Sequence, residues 1–407
     1  MLCLEGNSLL LGFSNVLFFD AETTIFNKGH PFDPRNFLVS YAYAFNDAPV
    51  FSYYTDPDFI SKIQRTVYET DCICGFNIKF DIHWLTRVGV KIPLHVKIWD
   101  CQLAEFIYSG QELPYDSLNE ALERYGLPVK KDVVKEYWDA GISTEHIPIP
   151  ILEEYNIWDV HTTKLLYDVQ QSLLSEQQRK LVFLEGEDLR ALQAAEYSGI
   201  KFDVEGATEE LEVRNRSIAD LERRLSEFLP DGIPVGLYNY DSGDHLSALL
   251  YGAKLEFDVA EESPAVYQSG EKKGQAYIRR KWSTVCVEFP QRFRPIEGTT
   301  VAKCSKDGYE GPQFYQTDAP TLIQLATKAK GDNKTLLSLL AERSATIKVV
   351  EMIESIFNKI NEKNWQNDMI HAQFNQNVVI TGRLSSSQPN LQNTPPEVDK
   401  LLVSRYD

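Results

Sequence analysis

Positive charge is what this sequence has too little of. Its 407 residues carry 41 Lys and Arg against 59 Asp and Glu, a net charge of −18. Contacts to a phosphate backbone need lysine and arginine, which argues against a general nucleic-acid binder unless a local basic track or bound metal ions offset the charge. Long apolar runs are missing as well. None approaches the roughly 18 residues of a membrane span, and no basic N-terminal region leads to a cleavage site, so no membrane partner is expected. Cysteines are few and scattered. Of Cys3, Cys72, Cys74, Cys101, Cys286 and Cys304, only Cys72 and Cys74 are close, one residue apart as on a strand. No second pair has zinc spacing, so free thiols and a cytosolic location are expected. Internal repeats and low-complexity tracts are also absent.

What is present is ordinary in bulk. Apolar content of 43% and charged content of 25% fit a globular protein. At about 150 residues per domain, two or three domains are expected. The first 175 residues read as α/β. VLFFDAET, FLVSYAYAF, PVFSYYT and CICG are strands, with NDAP as a turn. DFISKIQRTVYE and FDIHWLTRVG are helices, and DSLNEALERYG is a helix with Asp116 as its N-cap. IPILEEYNIWDVHTTKLLYDVQQSLL has apolar residues at three- and four-residue spacing and reads as a long helix. Helices dominate from residue 176, except that 255–317, rich in Gly, Pro and Tyr, read as β-hairpins. The segment 371–407 reads as extended and polar.

Three acidic pieces stand out in the α/β part. Asp20 and Glu22 are two apart at the end of an apolar strand, so they share a face. Two carboxylates held so close repel, and a divalent cation would remove the conflict. A surface strand end or a helix cap would also fit such a pair. In NIKFD, Asn77 and Asp81 are four apart, and Asp81 stands where a helix begins, as a cap would. In YNIWD, Tyr155 and Asp159 are i and i+4 on one helix and share its face, a spacing that also serves a structural hydrogen bond. Together the pieces supply four carboxylates and a phenol. Four acids are what two Mg²⁺ or Mn²⁺ ions need, and ions about 3.5–4 Å apart can clamp both oxygens of a phosphoryl displacement.

FDAET, NIKFD and YNIWD resemble the three motifs of the DEDD exonuclease superfamily in its tyrosine-containing branch, the proofreading 3′–5′ exonuclease of DNA polymerases. The resemblance implies an RNase H-like fold and two divalent cations (Mg²⁺ or Mn²⁺). Asp20, Glu22 and Asp159 would ligate metal directly, and Asp81 would hold the second ion partly through water. Tyr155 and Glu22 would orient the attacking water. Thr23, Phe26 and Asn77 would contact the terminal nucleotides. Asp100, in IWDCQLAEF, matches a further family position but reads as a helix cap.

The segment TGRLSSSQPNLQNTPPE is similar to the family A DNA polymerase sequence that precedes the first catalytic motif of the palm. GIKFDVEGATEELEVRNRSIADLERRL and NYDSGDHLSALLYG resemble that family's thumb. By this resemblance Arg383, Asn390, Gln392 and Asn393 would hold the primer–template, with Thr381 and Ser385 buttressing them. The implied domains are a 3′–5′ exonuclease over 1–175, a thumb-like helical region over 176–370 with a β-rich insertion at about 255–317, and the start of a palm over 371–407. Thr394 departs from the family's apolar residue, and Arg343 and Lys348 are five apart where the family has a basic pair four apart, so no role is assigned to that pair. The rest of the palm and the fingers are not in this sequence. A second polypeptide carrying them is the expected partner, a divided polymerase being preferred to a shortened piece; a viral source is compatible with this and would make the location the host cytoplasm.

Charge is uneven along the chain. Residues 1–175 hold 13 basic and 24 acidic residues, a net of −11. Residues 270–305 hold 8 basic (Lys272, Lys273, Arg279, Arg280, Lys281, Arg292, Arg294, Lys303) and 3 acidic ones, interleaved with Tyr277, Trp282, Phe289 and Phe293. The insertion therefore reads either as a surface for DNA or an accessory factor, or as a solvated hairpin face. The expected activity is proofreading of DNA, on single-stranded 3′ ends and primer–template. A DNA-holding subunit with a vestigial exonuclease is the alternative. An RNA exonuclease fits the acids but not the TGRLSSSQPNLQN segment.

Overall fold

The structure is a computed structural model that describes residues 14–45, 49–53, 56, 58–129, 133–266, 268–272, 274–296 and 314–406. It divides into two compact units, one of residues up to 207 together with 352–407, the other of residues 208–351.

The first unit is built on a strand whose alternation feeds two cores. In β1 (Val16–Thr23), Leu17, Phe19 and Ala21 enter one apolar cluster, and Val16 and Phe18 enter another on the opposite face. β2 (Leu38–Phe45) and β3 (Val50–Tyr53) extend the sheet antiparallel on one side of β1. α1 (Phe59–Tyr68) follows, burying Phe59, Ile63 and Val67 at four-residue spacing. β4 (Cys72–Gly75) runs parallel to β1 on its other side. Then come α2 (Lys79–Arg87) and β5 (Lys97–Asp100), which is parallel to β4. The five strands lie in the order β3-β2-β1-β4-β5. Asn46, Asp47 and Ala48 of the expected turn lie outside the described residues.

Asp100 caps α3 (Cys101–Tyr108), as expected: its carboxylate accepts from the backbone N–H groups of Gln102 and Leu103, and also from that of Asn77. Burial pushes this carboxyl up to about 6, against the pull of those donors. The cap of α4 (Leu118–Arg124) is one residue later than expected. Ser117 closes a reciprocal capping box with Glu120, because a serine with Glu three residues on satisfies two orphan donors. Asp116 is instead buried and paired with Arg124 at 2.6 Å. α5 (Val133–Asp139) leads to α6 (Ile149–Leu173), which packs on β1 and β2. α7 (Glu176–Ser198) lies directly on β5, since a Cβ at Gly186 would overlap the carbonyl of Ile98. β6 (Ile200–Phe202) ends this part of the unit.

The second unit is mainly helical. α8 (Val204–Ser226) contributes Leu221 and Leu225, and α9 (Gly243–Tyr251) contributes Ala248, Leu249 and Leu250, to one core. Where several β-hairpins were expected, the described residues form one, β7 (Lys254–Val266) against β8 (Ala276–Glu288), in register from Lys254↔Glu288 to Val266↔Ala276. Residues 297–313 of the expected insertion lie outside the described residues. Only the root of the hairpin, through Leu255, Phe257 and Val287, joins the core. α10 (Ala319–Lys328) and α11 (Asp332–Glu362) complete the helices, α11 supplying Leu336, Leu337 and Leu340. The guanidinium of Arg343 is committed to Asp241 at 2.7 and 3.0 Å and to Glu222 at 2.8 Å.

The remaining residues return to the first unit. β9 (Met369–Ile370) pairs with β6, β10 (Gln373–Asn375) pairs with β11 (Ser385–Ser387), and after α12 (Pro396–Asp399), β12 (Leu402–Val403) covers the other edge of β6. The segment expected to be only extended is thus locally structured and tied down. Glu196 of α7 is buried, accepts from the backbone N–H of Phe374 at 2.7 Å, and pairs with Lys79 and His83, each at 2.7 Å. The Lys79 ammonium also donates to the Phe374 carbonyl. A buried carboxylate is tolerable here because its partners are charged or donate to it.

Candidate active site

Strand alternation aims the acids. Asp20 and Glu22 share the parity of Val16 and Phe18, whose cluster includes Val160 and Leu166 of α6. They therefore project toward the helix that carries Tyr155 and Asp159. Asp20, Glu22 and Asp159 each offer a carboxylate oxygen, all within 4.8 Å of one another. Asp81 enters from the first turn of α2 and is no cap: it is buried, and its Oδ1 accepts from the backbone N–H of Ala21 at 2.9 Å, between the two β1 acids. Burial first, then the charges of Asp20 and Glu22, hold the Asp81 carboxyl well above the usual carboxylate range, against the pull of the Ala21 N–H. This all-oxygen donor set suits hard divalent cations, and the repulsion on Asp81 is what such a cation would relieve.

Asn156 was not singled out by sequence reasoning. It is fully buried on α6, and its Nδ2 donates to Asp20 Oδ2 at 2.6 Å while its Oδ1 accepts from Ser40 at 3.4 Å. Its signal was its place inside YNIWD, one residue past the tyrosine. Trp138 was also missed. Its ring meets Tyr155 edge-on, with centroids 6.2 Å apart, and its Nε1 donates to Thr144 at 3.1 Å. The Thr144 hydroxyl in turn donates to the carbonyl of Thr23.

The other sequence-derived residues fall into two groups. Thr23 lines a cavity of about 370 Å³ together with Glu22, Phe80 and Trp138. Phe26 is 43% exposed beside it, with the Arg35 guanidinium 4.7 Å above its ring. Asn77 adopts a left-handed backbone (φ 55°) and lines a second cavity of about 260 Å³ that shares Phe80. Arg383, Asn390, Gln392 and Asn393, by contrast, are exposed along 383–393, and none of them lines either cavity. Ser385 sits on β11, opposite Asn375.

The basic, aromatic stretch divides as well. Tyr277 and Trp282 are exposed on the hairpin, whereas Phe289 is buried and Phe293 packs against the core of the second unit. Arg280 pairs with Glu262 at 2.9 Å, and Arg292 donates to the Phe228 carbonyl. Lys273 and Lys303 lie outside the described residues.

Residues 298–404 match the family model of DNA polymerase family A. The chain is 25% identical over 357 residues to a DNA polymerase of Bacillus phage SP01, covering 86% of this chain and 37% of that protein. It is 24% identical over 346 residues to DNA polymerase I of Synechocystis sp., covering 81% and 29% respectively. A further 82 residues are 39% identical to DNA polymerase I of Mycobacterium leprae, covering 20% of this chain and 8% of that one. The chain thus spans about a third of the length of the first two relatives. Among solved structures, its fold is similar to the POL domain of Pol1 from M. smegmatis, solved in complex with DNA primer-template and dNTP. That likeness has a TM-score of 0.62 at 16% identity and covers 95% of this chain and 53% of that one. No helix among the described residues is long and apolar enough to cross a membrane. By sequence, residues 298–404 match DNA polymerase family A, and most of the chain is similar to DNA polymerases of a phage and a bacterium.

Proposed function

We propose that the first unit is an RNase H-like 3′–5′ exonuclease that proofreads DNA for a family A polymerase, releasing nucleoside monophosphates from the 3′ end. The observation that carries this reading is the convergence of Asp20, Glu22 and Asp159 within 4.8 Å, with Asp81 bonded to the backbone between the first two. Asp20, Glu22 and Asp159 would hold one divalent cation, and Asp81 with Asp20 a second. When bound, such ions supply an activated water and charge stabilisation at the phosphate. The chain's own groups do the rest. Asn156 fixes the rotamer of Asp20 through its amide. The Glu22 carboxylate and the Tyr155 phenol orient the water. Thr23, Phe26 and Asn77 contact the last nucleotides, and single-stranded ends are preferred because their bases must splay to stack on aromatic rings.

On the same reading Arg383, Asn390, Gln392 and Asn393 hold the primer–template, mainly through sequence-blind backbone and minor-groove contacts. Polymerisation would need the rest of a palm and the fingers, because a two-metal polymerase site needs carboxylates beyond those of this acidic cluster.

The test is a 5′-labelled single-stranded DNA incubated with the chain and Mg²⁺. Stepwise shortening from the 3′ end is expected, and intact DNA after long incubation would contradict the proposal. Tyr155→Phe keeps the ring against Trp138 and loses only the hydroxyl. Its turnover is expected to fall by about ten- to a hundredfold with the DNA still bound, as single-turnover rates at saturating enzyme would measure.

A further inference from the structure

The outer part of the β7–β8 hairpin adds nothing to the core of the second unit. That core takes Leu255, Phe257 and Val287 from the root, with Val285 packed against it. Beyond the root, seven pairs stay in register, from Ala260↔Trp282 to Val266↔Ala276, and none of these residues is buried. At about 3.3 Å per residue this outer ribbon runs for about 20 Å. A lone two-stranded ribbon is marginal in water, and here the side-chain bonds across it are exposed ones, Arg280 to Glu262 at 2.9 Å and Thr284 to Asp258 at 2.8 Å. Packing within the chain therefore does not account for it.

Two features set the outer ribbon apart from a merely solvated face. Ile278, Arg280 and Trp282 alternate onto one face of β8, where Ile278 is 62% and Trp282 63% exposed. Large apolar side chains grouped in the open mark a contact surface. The second feature is charge. Residues 263–282 hold Lys272, Lys273, Arg279, Arg280 and Lys281 against the single acid Glu271, a net of +4. The root, 254–262 with 283–288, holds Lys254 against five acids, a net of −4. Positive charge is thus gathered at the end that carries the indole, in a chain whose net charge is −18. Glu262 takes the Nε of Arg280, and among the described residues Arg279 and Lys281 make no ion pair.

We propose that the outer ribbon is a docking surface for single-stranded DNA, on which an unpaired base stacks on Trp282 and Arg280 takes a neighbouring phosphate. Arg279 and Lys281 add their charge from the reverse face. Aromatic rings interleaved with cations are what a single strand needs, and every base has a π-face to stack, so the surface is blind to sequence. A duplex keeps its bases stacked on each other and leaves the indole unused. This surface lies in the second unit and does not depend on the acids of the first.

The test uses the full chain in chelator, so that no strand is cut, and a single-stranded thymidine dodecamer titrated at several salt concentrations. Trp282→Ala is expected to weaken binding by about five- to a hundredfold. Arg280→Gln is expected to reduce the slope of log affinity against log salt by about 0.7, the share of one phosphate contact on a single strand. A third variant joins Val259 to Ser283 through Asn-Gly, a two-residue turn that suits a hairpin. It removes the outer ribbon, keeps Leu255, Phe257 and Val287 in the core, and is expected to show both effects. Lys62→Gln, on the exposed partner of Asp56, is expected to change neither. Matched thermal midpoints keep a folding defect from mimicking the result. Unchanged affinity and slope in the shortened chain would overturn the proposal and leave the exonuclease reading intact. Equal losses against a duplex dodecamer would also overturn it, assigning the ribbon to paired DNA. So would intact dodecamer binding in a shortened chain that no longer binds polyglutamate, which assigns the ribbon to an acidic protein, or that turns from dimer to monomer, which assigns it to a second copy.

Discussion

Asp20→Ala is expected to lower DNA cleavage by three orders of magnitude or more, roughly 4 kcal/mol of transition-state stabilisation. Asp20 is shared in the proposed site between both cations, so its loss removes a ligand from each. Asn156→Ala is expected to cost far less, about ten- to a hundredfold, because the amide acts on Asp20 and not on the DNA. The structural basis is the 2.6 Å bond from Asn156 to Asp20 and the complete burial of the asparagine. The two variants also separate in their response to metal. Raising the Mg²⁺ concentration should restore much of the Asn156→Ala activity and none of that of Asp20→Ala. Single-turnover rates across a metal titration measure both. Equal losses that metal does not rescue would mean that Asn156 supports the fold and not the acid.

Acid is expected to destabilise the metal-free chain through its buried histidines before its ordinary surface carboxylates are neutralised. His30, His83 and His371 are packed in the first unit around Phe32, His371 stacking on it at 3.9 Å. Burial, then the charges of Lys363, His371 and His83, lower His30 to about 3. Burial also lowers His83 against the pull of Glu196, and lowers His371 against its bond to the Glu196 carbonyl. In the unfolded chain all three titrate near 6.5. Below that pH the unfolded state binds more protons, so stability is full above about pH 6.5 and falls as the pH drops toward the folded values. His30 alone gives about 1.4 kcal/mol of loss between about pH 7.5 and about pH 5.5. Asp81 and Asp100, with their carboxyls raised, work in the opposite sense and offset part of the loss. Urea midpoints in chelator are expected to fall over this range, more steeply in Asp81→Asn and less steeply in His30→Gln. A slope in His30→Gln equal to that of the unaltered chain would mean that the His30 imidazole is already charged in the folded state.

Local chemistry was legible in the sequence, and long-range pairing was not. β1 could be read because its apolar alternation is unbroken up to Asp20, and α6 because its apolar residues keep helical spacing around Tyr155 and Asp159. The same periodicities put Asp20 with Glu22 on one face of the strand and Tyr155 with Asp159 on one face of the helix, while the meeting of the two faces is seen only in the fold. The cap of α4 was misplaced by one residue because Asp116 and Ser117 are both good caps, and the choice turned on Glu120 reaching back to Ser117. Asn156 was hidden because its place inside YNIWD does not show which partner its amide meets until the strand opposite it is placed. Glu196 was read only as part of a helix, yet it binds Lys79, His83 and Phe374, residues more than a hundred positions away in each direction. The loop of Asn27 and Lys28 was illegible for a different reason: left-handed backbone at residues other than glycine follows from the bonds that Asn36 and Arg87 make to carbonyls around it, not from its own sequence.

The central claim is that these carboxylates direct water onto the last phosphodiester of a DNA strand. The most direct measurement is mass spectrometry of the products when the chain, single-stranded DNA and Mg²⁺ react in heavy-oxygen water. The account predicts deoxynucleoside 5′-monophosphates, released one at a time, each with a single heavy oxygen on its phosphate, and none from Asp20→Ala. Nucleoside 3′-monophosphates, unlabelled mononucleotides, or labelled products of equal yield from Asp20→Ala would contradict it.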